Sequence, residues 1–248
     1  MNDHEPELTI VIAAFEERGN IGPLLDEIGE VFGDNVAYEV AVVDDGSTDG
    51  TYAEILKALS SNPRIRLIRH RSRFGKSAAI WTGAAVARAG WIATMDGDGQ
   101  NDPKDLLRLW QFLKQHPPSE RLGLVAGRRR RRNDGALKLA ASRIANRIRI
   151  ALLGDDTTDT ACGLKLFRAS SLRGLPYFDN MHRFYPALVK RAGGEVMEFE
   201  IDDRPRRHGV SKYGFFDRLA VGAFDLIGVY WLCRRASFPV VLDETQGR

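Results

Sequence analysis

A chain of 248 residues, 44% hydrophobic and 28% charged, is long enough to bury a substantial core and needs neither disulfides nor metal merely to fold. Its two cysteines, Cys162 and Cys233, lie far apart and in no metal-ligand spacing, which excludes a disulfide scaffold or a zinc module and fits free thiols in a reducing compartment. The formal net charge is only +3, the amino terminus (Met1 to Glu7) is polar and acidic rather than a secretory signal, and no run reaches the roughly 18 apolar residues of a membrane span.

Leu8 to Phe15 is a continuous apolar run rich in β-branched residues, the pattern of a strand buried on both faces of a parallel sheet. It breaks at Glu16-Glu17-Arg18-Gly19, and Asn20 is placed to cap a helix carrying Ile21, Leu24, Leu25, Ile28, Val31 and Phe32. Tyr38 to Val43 predicts a second strand. It ends in Asp44-Asp45-Gly46-Ser47-Thr48-Asp49-Gly50-Thr51, where Asp49 can cap a helix from Thr51. Asp44 and Asp45 stay at the strand's carboxyl end, where they could bind a base, a ribose or a metal; one turn does not require so many carboxylates.

Arg64 to Arg69 is a third strand, and Phe74-Gly75-Lys76-Ser77 opens a helix through Ala89. The Gly75-Lys76-Ser77 triplet has the ending of a P-loop, but His70 stands where the first glycine belongs, so no P-loop is expected. Lys76 remains a candidate for a ligand phosphate, because a helix amino end favours anions. Trp91 to Met95 is a fourth strand that delivers Asp96-Gly97-Asp98, then Gln100 and Asp102-Pro103, with Pro103 in the first turn of a helix through Leu113. Two carboxylates separated by one small residue, at the exposed end of a buried strand, can share a divalent cation and leave coordination positions for diphosphate oxygens.

Leu122 to Ala126 supplies a fifth strand. Four strand–helix alternations imply an α/β domain with a doubly wound, mostly parallel sheet and helices on both faces, its crevice formed by the loops after Phe15, Val43 and Met95. A dinucleotide-binding domain would need G-x-G-x-x-G after the first strand, and that position reads Ala-Ala-Phe-Glu-Glu-Arg-Gly.

Between Arg121 and Arg149 ten basic residues meet one acidic residue, Asp134, a local field suited to an anionic partner. The five consecutive arginines from Arg128 lack interleaved aromatic residues and any recognised binding module, so nucleic acid is not expected. Leu137 to Leu153 sets Leu137, Ala141, Ile144, Ile148 and Leu152 on one stripe beside Arg143 and Arg147. That is a basic amphipathic helix, fit for an anionic membrane surface or an acidic cleft, or else a core helix with a solvated basic face. Gly163 to Phe167 and Glu195 to Ile201 are further strands. His182-Arg183-Phe184 opens a helix through Ala192, with His182 either a sugar or phosphate contact or a surface cap. Phe215 to Leu232 is mostly apolar but interrupted by Asp217, Arg218 and Asp225 and followed by Arg234-Arg235, which fits an interfacial helix better than a transmembrane one.

With these residues placed, the chain resembles the family 2 glycosyltransferases of GT-A fold, in particular those that charge a polyprenyl phosphate, such as dolichyl-phosphate mannose synthase and its bacterial relatives. The resemblance runs from about Leu8 to Tyr213. It rests on Ile10 to Glu17, Val42 to Thr51, Gly75-Lys76, Met95 to Pro103, Gly127-Arg128, Asp159 to Arg168 and Arg204 to Tyr213. It implies a single GT-A domain over residues 1–213 and a C-terminal apolar helix and tail over 214–248. By resemblance, Ala13, Phe15, Glu17, Asp44, Asp45, Lys76, Gly97, Arg207 and Lys212 serve the nucleotide donor. Asp96, Asp98 and Gln100 hold Mg2+ or Mn2+ with the diphosphate, and Arg128, Arg143, Asp159, His182 and Lys212 face the acceptor. Ala13 replaces a common proline, Phe15 a tyrosine and Glu16 an asparagine; Phe15 can stack on a base but cannot donate a hydroxyl hydrogen bond.

The activity so implied is an inverting transfer of a sugar from a nucleotide diphosphate, GDP-mannose or a UDP-sugar, to polyprenyl phosphate at the cytoplasmic membrane face. Asp96, Asp98 and Arg128 would carry the catalysis. Some relatives carry two C-terminal membrane helices that this sequence lacks, so lipid would be reached by docking on an anionic surface, through a membrane partner protein or as a homo-oligomer. Two alternatives stand beside this reading: a saccharide or other hydroxyl acceptor, for which Asp159 would be the candidate base, and a non-catalytic protein that binds membrane or nucleic acid through its basic segment.

Overall fold

The computed structural model describes residues 5–130, 136–202, 204–205 and 215–237, with the side chains of 136–144 and 215–220 outside the description. In chain order it places β1 (Leu8–Ala14), α1 (Ile21–Phe32), β2 (Tyr38–Asp44), α2 (Thr51–Ser61), β3 (Ile65–Arg69), α3 (Lys76–Val86), β4 (Trp91–Asp96), α4 (Pro103–Gln115) and β5 (Leu122–Arg129). These are followed by α5 (Ala136–Leu153), β6 (Lys165–Arg168), α6 (Ala169–Arg173), a 3-10 turn at Met181–Arg183, α7 (Tyr185–Arg191), β7 (Glu195–Ile201) and α8 (Phe215–Arg234). The elements expected from the pattern are present. The short α6 was not anticipated, and the helix expected to open at His182 begins instead as the 3-10 turn.

The strands form one sheet in the order β3-β2-β1-β4-β6-β5-β7. β1 pairs in parallel with both β2 and β4, so the chain winds outward in both directions from β1 and leaves a crevice beyond the strand carboxyl ends. Side-chain alternation explains the continuous apolar runs. Ile10 and Ile12 enter the core layer shared with α1, α2 and α4, whereas Val11 enters the opposite layer with α3, α6 and α7.

β6 runs antiparallel to both of its neighbours, with Lys165 opposite Thr94 on β4 and Ala126 on β5. This reversal brings the amino end of β6, and the loop before it, to the same edge as the carboxyl ends of β4 and β5. The 155–164 segment is thereby delivered to the crevice.

Helix starts follow two kinds of chemistry. Asp102 caps α4 by accepting from Lys104 N, with Pro103 in the first turn, and Asp49 accepts from Thr51 N at 3.0 Å and Thr51 Oγ1 at 2.6 Å at the start of α2. Asn20 occupies the cap position of α1 but makes no side-chain cap; its amide donates to Glu17 Oε2 at 2.8 Å and secures the loop after β1.

Away from the crevice, Glu39 is a buried carboxylate on β2. It accepts from Thr9 Oγ1, Arg88 N and Arg88 Nε at 2.8 Å and from Arg66 at 3.2 Å. Burial pushes its pKa up, but the hydrogen bonds from Arg88, Thr9 and Arg66 outweigh that and hold it below the ordinary glutamate value. A depressed carboxylate stabilises the fold above its unfolded pKa and loses that contribution as pH falls. Glu39→Gln is therefore expected to cost about 2 kcal/mol at pH 7 and to flatten the acid limb of stability against pH, read by urea unfolding.

The last helix packs on the domain with one face. Val229 on α8 is buried in the layer that contains α7, while Val221, Phe224, Ile227 and Trp231 are exposed, Phe224 by 80%. α5 contacts α8, and over its described side chains, 145–153, it is inverted relative to an ordinary core helix. Ile148 and Leu152 from its apolar stripe are exposed, and the buried residue is Arg149, paired with Asp155. Among the described residues no helix is long and apolar enough to cross a membrane. Cys162 and Cys233 are free thiols.

Candidate active site

The register of the three central strands builds the site. Ala13 lies opposite Val43 on one side and Asp96 on the other, and Ala14 lies opposite Asp44, so the carboxyl ends of β2, β1 and β4 present their turns side by side. A cleft of about 510 Å3 opens there, lined by Ala13, Phe15, Glu17, Asp45, Lys76, Asp96, Gly97, Asp98 and Gln100 from the expected donor set. Arg73, Phe74, Gly75, Ser77, Ala161, Asp179, Asn180, His182 and Arg183 also line it.

Each carboxylate has a distinct environment. Asp45 is buried and rigidly engaged: Oδ1 accepts from Phe74 N at 2.9 Å, Oδ2 from Gly75 N at 2.7 Å, and His70 Nδ1 lies 2.7 Å away. It fixes the backbone from which α3 and Lys76 start. Asp44 is fully buried and is not part of the cleft lining. Its Oδ1 accepts from Ser47 N at 3.0 Å, and Oδ2 lies 3.3 Å from Arg69 Nε, which makes it a constituent of the turn.

Asp98 is 5% exposed and accepts from Gln100 N at 3.1 Å. Gln100 is fixed in turn by Arg204, whose N–H donates to its carbonyl at 3.1 Å. Asp96 is ion-paired with Lys76 Nζ in the cleft. Burial alone would raise its pKa; the Lys76 ammonium, with Lys165 and Arg129 behind it, overcomes this and holds the group ionised below the usual aspartate value.

Two glycines are demanded by close approach. A Cβ on Gly163 would sit 2.5 Å from Asp96 Cγ, and one on Gly97 would sit 3.3 Å from the Ala13 carbonyl oxygen. A side chain on Gly163 would force the 159–163 loop off Asp96, and one on Gly97 would make the 96–98 turn crowd the Ala13 carbonyl.

Of the residues expected to face the acceptor, His182 lines the cleft through the 3-10 turn, with Nδ1 2.7 Å from Ser77 Oγ. Burial, then Lys76, Arg183 and Lys165, push its pKa well below 6.5 and keep the imidazole neutral. It is a cleft residue and not a surface cap. Asp159 is buried beside the cleft and accepts three hydrogen bonds from Arg129, from Nε to Oδ2 at 2.7 Å, from Nη2 to Oδ1 at 3.0 Å and from the backbone N–H to Oδ2 at 3.4 Å.

Arg128 does not line the cleft. It pairs with Glu200 on β7, which Arg130 Nε also approaches at 3.3 Å. Residues on a strand alternate faces, so Arg128 and Arg130 turn to one partner and Arg129 to another. Together with Arg121–Glu195 and Arg149–Asp155, these pairs set four carboxylates against five arginines of the basic run. Arg207 and Lys212 lie outside the described residues, as does the side chain of Arg143.

Several residues here had no sequence signal of their own. Arg73 covers the Phe15 ring, its guanidinium carbon 4.4 Å from the centroid. Lys165 is buried with its ammonium on the Cys162 carbonyl and, at 3.2 Å, the Thr160 carbonyl. Burial and the nearby Lys76 lower its pKa to about 8, against the opposing pull of Asp96 and Asp159. A strand lysine next to an apolar pair reads as an exposed position until the direction of β6 is known.

The residues present suit a hard divalent cation. Asp96 already carries a cation in the form of the Lys76 ammonium, and the donors Asp96, Asp98 and the Gln100 amide are all oxygen, as Mg2+ or Mn2+ requires. Among the described residues no group of three or more His, Cys, Asp or Glu side chains could hold a metal ion, so part of the coordination would fall to diphosphate oxygens and water.

Residues 9–175 match the model of glycosyl transferase family 2. The dodecaprenyl-phosphate galacturonate synthase of Rhizobium johnstonii is 34% identical over 241 residues, spanning 94% of this chain and 69% of the relative. An undecaprenyl-phosphate 4-deoxy-4-formamido-L-arabinose transferase of Edwardsiella ictaluri is 27% identical over 229 residues, 89% of this chain and 66% of the relative. Among solved structures, glucosyl-3-phosphoglycerate synthase from Mycobacterium tuberculosis with Mn2+, UDP and phosphoglyceric acid shares the fold, with a TM-score of 0.67 at 18% identity over 95% of this chain and 80% of that one. A chain whose first two-thirds fit the family model, and which a relative of 34% identity matches over 94% of its length, belongs to glycosyl transferase family 2 and is a glycosyltransferase.

Proposed function

We propose that the protein transfers a sugar, with inversion, from a nucleotide diphosphate to the phosphate of a polyprenyl phosphate, in a metal-dependent reaction at a membrane surface. The observation that carries this reading is the balance of groups around the cleft. Lys76, Arg73 and Arg183 line it together with Asp96 and Asp98, and neither His182 within the cleft nor Asp159 beside it is available as a strong base. Asp159 is bound by the Arg129 guanidinium, and His182 is held neutral with a strongly reduced proton affinity. A hydroxyl acceptor would need such a base; a phosphate monoester, largely ionised at neutral pH, does not. The names of the two relatives, both polyprenyl-phosphate enzymes, support the same acceptor class.

In this reading an acceptor phosphate oxygen attacks the anomeric carbon, the bond from that carbon to the diphosphate oxygen breaks, and the nucleoside diphosphate leaves with the electron pair. No proton changes hands. A divalent cation held by Asp96, Asp98 and Gln100 would supply Lewis-acid stabilisation of the departing diphosphate. Phe15, backed by Arg73, offers a ring for the base, and Glu17 and Asp45 border the same pocket. Arg207, Lys212 and Arg143 remain proposed phosphate contacts.

The apolar face of α8, with Ile148 and Leu152 of the adjoining α5 and with Arg234 and Arg235 at its end, is proposed to rest on the anionic cytoplasmic leaflet. The expected result is co-sedimentation with vesicles containing anionic lipid, reduced at least about tenfold in a Phe224→Ser/Ile227→Ser variant, since each buried large side chain contributes about 1.5–3 kcal/mol. Equal binding of both proteins would contradict docking through α8. The donor is found by thermal shift: in the presence of Mn2+ one nucleotide of a GDP, UDP and dTDP panel should raise Tm, and no rise with any of them would count against a nucleotide site.

A further inference from the structure

We propose that Lys76 is the resident counterion of Asp96 and must leave that carboxylate before a divalent cation can take it, so that the diphosphate of the donor, by receiving the lysine, licenses metal binding. The inference rests on the metal-dependent reading of the cleft and adds an order of events to it.

Three observations support it. First, the ammonium of Lys76 is paired with Asp96 Oδ1, the same carboxylate that the cation needs, and both side chains are less than a third exposed. Two cations on one partly buried carboxylate repel each other, so the metal and Lys76 compete. Second, the other positive groups around Asp96 are tied elsewhere: Lys165 to the Cys162 and Thr160 carbonyls, and Arg129 to Asp159. Lys76 is the one with a mobile tether, and among the described residues its ion pair is with Asp96 alone. Third, the root of that tether is fixed. Asp45 holds the N–H groups of Phe74 and Gly75, so the Lys76 side chain swings from a rigid helix start within the cleft.

A diphosphate in the cleft offers the ammonium new charge-assisted hydrogen bonds, and Asp96 is then released to the cation. Metal and nucleotide thus help each other through Lys76, in addition to any direct bond between them. By thermodynamic reciprocity the same factor appears in both affinities.

The test is Mn2+ binding by electron paramagnetic resonance, with protein-free controls, for the wild type, Lys76→Met and Lys76→Arg, each alone and with GDP or UDP. Lys76→Met is expected to bind Mn2+ alone about tenfold more tightly than the wild type, and to lose a similar factor from the gain produced by nucleotide. Lys76→Arg, which keeps the cation, should behave as the wild type. Equal Mn2+ affinity of wild type and Lys76→Met without nucleotide would overturn the inference. Failure of all three proteins to bind Mn2+, with or without either nucleotide, would instead remove the metal-dependent reading and this inference with it. Should Lys76→Met not fold, as judged by its melting curve, Lys76→Gln makes the same comparison.

Discussion

Asp98→Asn is expected to lower the turnover of sugar transfer by about 10^2–10^3-fold with Tm nearly unchanged. The separation of the two effects follows from geometry. Asparagine keeps an oxygen where Asp98 Oδ1 accepts the Gln100 N–H, so the turn between β4 and α4 is preserved. What it removes is a negative charge in the cleft, on the residue proposed to share the cation with Asp96. A charge that stabilises the leaving diphosphate acts mainly in the transition state, so the loss should appear in kcat with a smaller change in KM for the donor. Turnover within threefold of the wild type at saturating Mn2+ would remove Asp98 from the mechanism.

Arg149→Met is expected to cost about 3–5 kcal/mol of stability. Arg149 is the buried residue of an otherwise outward-facing stretch of α5. Its guanidinium donates to Asn146 Oδ1 at 2.9 Å, Thr160 Oγ1 at 2.8 Å and the Thr157 carbonyl, and its Nε lies 2.9 Å from Asp155 Oδ2. Asp155 is almost fully buried, so removal of the arginine strands a carboxylate. Arg149→Met/Asp155→Leu should recover most of the loss, because replacing both members of a buried pair with apolar residues is far cheaper than orphaning one. The single variant should also lose activity beyond what instability explains, since the same arginine holds the 157–160 segment that leads to Asp159 and Gly163. Urea unfolding of the three proteins decides the first point. If the double variant is no more stable than the single one, the pair is not the source of the effect.

The strand ends were legible in the sequence because buried parallel strands must be apolar throughout, which makes the carboxylates that follow each run conspicuous. Asp45, Asp96 and Asp98 lie at the cleft for that reason, and so does Lys76, at the start of a helix that the pattern revealed. Asp44 was equally conspicuous, yet it faces the turn. Neighbouring residues at a strand end point to opposite sides, and nothing in the sequence says which side is the cleft.

The same ambiguity applies to Arg128, which turns to Glu200 on β7 and does not line the cleft. In a run of arginines the register against β7 and Asp159 decides the partner, and the reversed direction of β6 that brings Asp159 there is a non-local fact. Lys165 and Arg149 were hidden for a related reason. A charged residue reads as solvated until the carbonyls and carboxylates that compensate it are placed around it, and here those come from a loop of irregular structure. The outward Ile148 and Leu152 on α5 are the complement of that error: the inward Arg149 left these neighbours on the surface.

The central claim is a phosphate acceptor and a metal-assisted leaving group, and transfer of radiolabelled sugar tests it most directly. The protein is incubated with labelled nucleotide sugars and Mn2+, with undecaprenyl phosphate in one arm and saccharide or other hydroxyl acceptors in the other. The account predicts labelled, organic-extractable product with undecaprenyl phosphate, lost on complete chelation of the metal. Label transferred only to hydroxyl acceptors, or transfer to the lipid that survives chelation, would contradict it.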